Sequence, residues 1–86
     1  METLPLFFLS EVVLVYKFYV HFIGRGEQED GKFIVHGCYP VEAYSPRSAV
    51  RKIIAMALGE GYRGIGIREV YDEDFIQIDD KEWRKE

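Results

Sequence analysis

The chain has 86 residues and a mass of 10.1 kDa, which suffices for one domain with a single modest core. Apolar residues make up 48% and charged residues 30% of the sequence, an ordinary globular balance that argues against a disordered chain. The formal net charge of −4 gives no overall attraction to nucleic acid or to an anionic membrane surface. We therefore treat residues 1–86 as a single domain.

The sequence contains one cysteine, Cys38, which excludes an intramolecular disulfide and favours a reducing, cytoplasmic compartment. The apolar N-terminal segment, residues 1–10, lacks the basic residues and the cleavage site of a signal peptide. Polar and charged residues interrupt the stretch that continues to Ile23, which argues against a membrane span. The sequence thus predicts a cytoplasmic protein without a membrane partner.

The first predicted element is a long strand from Val12 to Ile23. Its even-numbered residues are all apolar or aromatic and its odd-numbered residues are mixed, which is the alternation of a half-buried strand. The even side is expected to face the core. The apolar segment Leu4 to Leu9 has no partner strand in this scheme, and we expect it to cover a sheet in its own chain or in a neighbour.

A charged, glycine-containing loop from Gly24 to Gly31 is predicted to join this strand to a second one, Lys32 to Ala43. A symmetric loop places Phe22 opposite Val35, and the apolar faces of the two strands then coincide. The same register places Phe18 opposite Tyr39.

The proline in the second strand indicates where that strand lies in the sheet. Pro40 has no N–H to donate to a ladder, so the strand is expected to expose that position at an edge or at a bulge.

Ser45 followed by Pro46 predicts the start of a helix, because serine caps helices and proline fits their first turn. Gly59 predicts its end. Apolar residues at helical spacing between them predict one buried stripe, formed by Val50, Ile53, Ile54, Ala57 and Leu58.

The remaining chain predicts a third strand, Arg63 to Tyr71, and a short fourth strand or strand-like segment, Phe75 to Ile78. Residues 79–86 are charged and, apart from Trp83, are expected to fray. The order β-β-α-β-(β) predicts an α+β two-layer sandwich, a mainly antiparallel sheet with one helix packed on one face.

A helix on one face leaves the other face of the sheet without a second layer. Large exposed apolar patches mark interaction surfaces, so we expect a homodimer that forms through this face with help from the N-terminal segment. The predicted interface residues are Val13, Val15, Tyr19, Ile23, Ile34, Leu6, Phe7 and Phe8.

The same face is predicted to carry a polar cluster, with His21 opposite His36 and Tyr19 opposite Cys38. Two imidazoles and a thiol are zinc ligands, but the fourth ligand and the short paired spacings of a structural zinc site are missing. Cys38 also lies in mid-strand, away from the positive environments that stabilise a thiolate. We therefore predict no metal, no cofactor and no catalytic residues.

Basic residues concentrate between residues 47 and 68, a segment with a net charge of +4 between two acidic segments. Arg47, Arg51, Lys52 and Arg63 are the predicted contacts for an anion or for nucleic acid. The alternative is an ordinary solvated helix face.

These features favour a non-catalytic binding or regulatory protein that self-associates and acts by occupying a partner surface, such as an adaptor, a regulatory subunit or an inhibitor of phage or mobile-element type. One alternative is an RNA-binding module, in which sheet aromatics stack bases and the basic helix contacts phosphates. The negative net charge and the absence of an RNP-type sequence weaken it. A second alternative is a small-ligand binder with its pocket at a dimer interface.

Overall fold

The computed structural model describes residues 14–84 of the chain. Within this range, three strands form one antiparallel sheet and one helix packs on a face of it, an α+β architecture. The strand order β2-β1-β3 places β1 in the centre and β2 and β3 at the edges. In chain order the elements are β1 (Tyr16–Gln28), β2 (Gly31–Ala43), α1 (Pro46–Gly59), β3 (Arg63–Tyr71) and a 3₁₀ turn (Asp80–Glu82).

β1 and β2 form a long hairpin closed by a two-residue turn at positions 29–30, so both strands continue through most of the predicted loop. Phe22 lies opposite Gly37 and not opposite Val35, and the partner of Phe18 shifts in the same way. The predicted register is therefore wrong by two positions, because the turn is centred between residues 29 and 30, one residue later than the centre of the symmetric loop assumed in the prediction. A shift of two residues leaves each side chain on its face, so the predicted core face is retained.

Two glycines on the core face of the hairpin accommodate aromatic rings from β2. A Cβ atom at Gly26 would overlap the ring of Phe33, and one at Gly37 would come within 2.9 Å of the Tyr39 ring. Rings that lie across strand glycines restore the packing that the missing side chains would supply. This packing lets a glycine-containing segment that resembles a loop continue as regular strand.

α1 begins and ends where the sequence predicts. The Ser45 hydroxyl accepts a hydrogen bond of 3.1 Å from the N–H of Ser48, and Pro46 occupies the first turn. Leu58, predicted for the buried stripe, is exposed, and Ala49 is buried instead.

The core lies between α1 and the even-numbered face of β1, as predicted. Leu14 and Tyr16 share the even-numbered alternation but are exposed at the start of the strand. The buried core residues are Phe18, Val20, Phe22, Ala43, Ala49, Val50, Ile53, Ala57, Val70 and Trp83.

β3 covers the predicted range and pairs with β1 in an irregular register. The register shifts between His21 and Phe22 and again between Ile23 and Arg25. Irregularities of this kind bend and twist an edge strand.

The predicted fourth strand is reduced to a single bridge. Gln77 pairs with Tyr71, and the N–H of Ile78 donates a 2.8 Å hydrogen bond to the carbonyl of Val70. The chain after β3 therefore folds back along the end of that strand.

Residues 72–84, which we call the C-terminal segment, wrap around the end of β3. Phe75 stacks on Tyr19, on the face away from α1, whereas Trp83 belongs to the core on the helix side. Residues 79–84, the described part of the tail that we expected to fray, are thus attached to the helix side of the sheet through Trp83. The burial of Trp83, which is 4% exposed, explains this order within a charged sequence.

Candidate functional site

The face of the sheet turned away from α1 is called the open face. Of the predicted interface residues, Val15 and Ile34 are exposed, and Tyr19 and Ile23 are half-buried. Val13, Leu6, Phe7 and Phe8, with the rest of the segment Leu4 to Leu9, lie outside the described residues. The residues of the open face on the three strands include Lys17, Tyr19, His21, Ile23, Arg25, Ile34, His36, Cys38, Pro40, Glu42, Glu69 and Tyr71.

One end of the open face is covered by the chain itself. The rings of Tyr19 and Phe75 stack with centroids 4.2 Å apart and an interplanar angle of 18°. The sequence placed Tyr19 in an interface and did not predict this stack, because Phe75 comes from a segment far along the chain. Phe75 itself is exposed, so the stack presents one aromatic ring to solvent.

The backbone of Phe75 is strained. Its φ angle of 62° lies in the left-handed region, which bulky residues rarely adopt. The carboxylate of Asp72 accepts hydrogen bonds from the N–H groups of Asp74 and Ile76, at 2.8 and 3.0 Å, and holds the turn. The strain is therefore compensated locally by this turn and by the stack on Tyr19.

The middle of the open face contains a hydrogen-bonded polar group. His21 Nδ1 lies 2.8 Å from Glu69 Oε1, and the Tyr71 hydroxyl donates to the same oxygen at 3.4 Å. The hydrogen bond from His21 lowers the pKa of Glu69. Partial desolvation, followed by the charge of Glu69, raises the pKa of Tyr71. Glu69 Oε1 thus accepts from both neighbours, and the three polar side chains separate the Tyr19 end of the face from Ile34.

Cys38 lies opposite His21, so the predicted pairing of His21 with His36 is wrong. Tyr19, predicted opposite Cys38, pairs with Pro40. Burial, followed by the charge of Glu69, raises the pKa of the Cys38 thiol, which favours the protonated form. Among residues 14–84, no group of three His, Cys, Asp or Glu side chains is placed to hold a metal ion.

The outer edge of β2 is the longest regular edge of the sheet. Between Lys32 and Pro40 it carries no Asp, Glu, Lys or Arg, and in the described part of the chain no segment pairs with it. Its apolar side chains are incompletely buried on both faces: Ile34 is 61% exposed on the open face, and Tyr39 is 40% exposed on the helix side. Uncharged, unpaired edges of this length template pairing with another strand.

Pro40 indicates which backbone groups this edge presents. In an antiparallel pair, successive residues alternate between bonding to the partner strand and pointing away from it. Pro40 lies opposite Tyr19 on the central strand and has no N–H to donate to it. We therefore place Pro40 among the residues whose backbone groups point away from β1. Because this orientation repeats at every second residue, the N–H and C=O groups of Ile34, His36 and Cys38 also point away from β1, toward the outer edge of β2. The prediction that Pro40 lies at an edge is confirmed.

The predicted basic residues separate into two places. Arg47 and Arg51 border a groove of about 320 Å³ between α1, β3 and the end of the C-terminal segment. We call it the arginine groove. Lys52 instead donates a 2.7 Å hydrogen bond from Nζ to the carbonyl of Glu42, at the end of β2. The groove is lined by Arg47, Val50, Arg51, Ile54, Ile65, Ile67, Trp83 and Arg84.

Arg63 lies in a second, smaller cavity of about 190 Å³ near the hairpin turn. Arg25 and Lys32 line this cavity with it, together with Glu27. The helix residues Arg47 and Arg51 do not line it, so the four predicted residues do not form one surface.

Sequence reasoning missed the contribution of the C-terminal segment to the groove. Arg84 stacks over the Trp83 ring at 4.6 Å from its centroid, and its backbone carbonyl accepts a 3.3 Å hydrogen bond from Arg47. The indole Nε1 of Trp83 is buried and makes no hydrogen bond within residues 14–84. The signal that could have found this site is a lone tryptophan in a charged tail, since an indole rarely stays exposed without a reason.

Comparisons with models of protein families, with curated proteins and with solved structures found no match for this chain. Of the helices described here, none has the length and apolar content that crossing a membrane requires.

Proposed function

We propose that this is a non-catalytic binding protein that self-associates through β2 and acts, as a homodimer, by occupying a partner surface. The observation that carries the proposal is the uncharged middle of β2, an edge with which no other segment of residues 14–84 pairs, with Ile34 exposed on one side of it and Tyr39 on the other. Natural sheets protect edges of this kind with charges, bulges or a covering segment.

The geometry of β2 suits a two-fold arrangement. Two copies that pair antiparallel through this edge would join two three-stranded sheets into one sheet of six strands. The outward backbone groups of Ile34, His36 and Cys38 would supply the ladder. This register places His36 beside its own copy at the two-fold axis and Ile34 beside Cys38 of the partner subunit. Main-chain pairing supplies affinity in this mode, and the alternating side chains supply specificity.

We further propose that the protein acts in the cytoplasm. Cys38 is exposed and unpaired on the open face, an arrangement that suits a reducing compartment better than an oxidising one.

The described residues favour self-association over the RNA-binding alternative. An RNA-binding sheet needs exposed aromatics beside a continuous basic surface. Tyr19 is covered by Phe75, and Arg63 is separated from Arg47 and Arg51.

Sedimentation equilibrium at micromolar concentration tests the proposal. We expect the wild-type chain to sediment with twice its monomer mass of 10.1 kDa. Ile34→Lys should shift the population to monomer, because it places a charge on the exposed apolar strip beside the pairing edge.

Ile76→Lys is the matched control. Ile76 is 63% exposed and Ile34 is 61% exposed, but Ile76 lies in the C-terminal segment on the β3 side. A monomeric wild-type chain, or equal dissociation by both substitutions, would overturn the proposed interface. Circular dichroism of each variant separates dissociation from unfolding.

A further inference from the structure

The arginine groove combines an apolar floor with a cationic rim. Val50 and Ile54 from α1 and Ile65 and Ile67 from β3 form aliphatic walls, and Trp83 closes one end. Its volume of about 320 Å³ falls at the lower end of the range for small-molecule sites. The groove lies on the helix side of β3, away from the proposed β2 interface.

The charges on the rim are not placed for helix stability. Arg47 and Arg51 lie four residues apart on one helix face, a spacing at which like charges repel. They also lie in the N-terminal half of α1, where the helix dipole is positive, and the first turn contains no acidic residue. A bound anion would offset both the repulsion between the two arginines and their unfavourable interaction with the helix dipole. Departures of this kind from the rules of helix stability are typical of functional sites.

The third rim cation is partly compensated. The guanidinium of Arg84 pairs with Asp80 at 3.0 Å and stacks over Trp83. Within residues 14–84 neither Arg47 nor Arg51 forms an ion pair with a carboxylate. Within residues 14–84, the positive charge that no carboxylate compensates therefore lies on the helix side of the groove, where the Arg47 guanidinium also donates a 3.3 Å hydrogen bond to the carbonyl of Arg84.

From this arrangement we infer that the arginine groove binds a small amphiphilic anion, a carboxylate or phosphate head on an apolar body. The head lies between the guanidinium groups of Arg47 and Arg51, whose planar donors match the oxygens of either group. The apolar body lies along Ile54, Ile65 and Ile67 and displaces water from them.

The chain contains one tryptophan, so intrinsic tryptophan fluorescence reports on this groove alone. The test is a titration of the full-length protein with decanoate, decyl phosphate, decanol and decyltrimethylammonium, each below its micelle concentration. We expect a saturable change of Trp83 emission with the two anions and none with the alcohol or the cation. The anion with the tighter dissociation constant identifies the head group.

The variants Arg51→Gln and Lys52→Gln form a matched pair. Both remove one positive charge from neighbouring positions of α1, but Arg51 borders the groove and Lys52 is bonded to the carbonyl of Glu42. We expect Arg51→Gln to weaken anion binding at least about tenfold, the scale of a charge-assisted hydrogen bond, and Lys52→Gln to leave it within about twofold.

A second measurement detects binding that leaves the fluorescence of Trp83 unchanged. Carbon-13 spectra of the isoleucine methyl groups should show saturable shifts for Ile54, Ile65 and Ile67, which line the groove, and not for Ile34 or Ile76. Absence of a saturable response in both readouts, equal binding of decanol and decanoate, or equal weakening by the two variants would overturn the inference.

Discussion

The two edges of the sheet are built in opposite ways. β2 has 13 residues in a regular register with β1, and no Asp, Glu, Lys or Arg lies between Lys32 and Pro40. β3 has nine residues, two register shifts, and charged side chains at Arg63, Arg68 and Glu69. The C-terminal segment also folds back on the end of β3.

The contrast distinguishes the edge that could serve the proposed self-association from the edge that could not. Irregular register, charge and a covering segment are the devices by which proteins keep an edge strand from pairing, and β3 has all three. Among the described residues, β2 has charge and proline at its ends and none of these devices in its middle. Within residues 14–84 one edge is protected and the longer one is not, so we expect the proposed self-association to use the longer edge.

The largest change in folding stability is expected from a substitution in β1, the central strand that pairs with both edge strands. Phe22 is fully buried beneath α1, so Phe22→Ala should lower the free energy of unfolding by about 3–5 kcal/mol. Urea denaturation measures this effect. Ile34→Ala, at an exposed position of β2, is the comparison and should change the free energy by less than about 1 kcal/mol. Similar losses in the two variants would contradict the face assignment.

Proline substitutions probe the direction of the β2 backbone groups. By the alternation of the ladder, the backbone groups of Val35 bond to β1, whereas the N–H of His36 points to the outer edge of β2. Val35→Pro should therefore cost about 1–3 kcal/mol more folding stability than His36→Pro, because it leaves a buried ladder group unpaired. His36→Pro should instead dissociate the homodimer. Urea denaturation and sedimentation of both variants measure the two effects, and the reverse order would contradict the deduced phase.

A smaller effect is expected where the C-terminal segment crosses the open face. Phe75→Ala removes the stack on Tyr19 but keeps the left-handed backbone, whereas Phe75→Gly removes the stack and relieves the strain. We expect the glycine variant to be more stable than the alanine variant by about 1 kcal/mol. Thermal unfolding of the pair measures the difference, and equal stability would show that the turn stores no strain.

The smallest effect concerns the polar group on the open face. The pKa of Glu69 is lowered in the folded state, chiefly by the hydrogen bond from His21, so its carboxylate stabilises the fold above the ordinary glutamate pKa of about 4.3. That contribution is lost as the pH falls from this value through the lower folded pKa. Glu69→Gln should therefore lose less stability on acidification than the wild-type chain.

Glu73→Gln is the control for this experiment, because Glu73 is an exposed carboxylate in the C-terminal segment. Urea midpoints recorded over the acid range compare the three proteins. An acid dependence of Glu69→Gln equal to that of the wild-type chain would show that the His21 contact does not persist in solution.

Much of the local structure was predictable because it depends on neighbours in sequence. The start of α1 follows from Ser45 and Pro46. Its last residue is Gly59, as predicted, but the glycine that turns the chain out of the helix is Gly61, whose φ of 95° lies in the left-handed region. The core face of β1 follows from alternation, since successive side chains of a strand point to opposite faces. The two basic helix residues of the arginine groove, Arg47 and Arg51, were found in the same way.

By itself the sequence determined the element order, the faces of the strands and the ends of the helix. It left the hairpin register ambiguous in steps of two, because alternation has a period of two and every even shift preserves it. Tertiary structure decided that register through the two-residue turn and the rings of Phe33 and Tyr39, which pack over glycines. It also decided the position of the C-terminal segment, because the burial of Trp83 and the stack of Phe75 on Tyr19 depend on contacts with other elements, on which local preference carries no information.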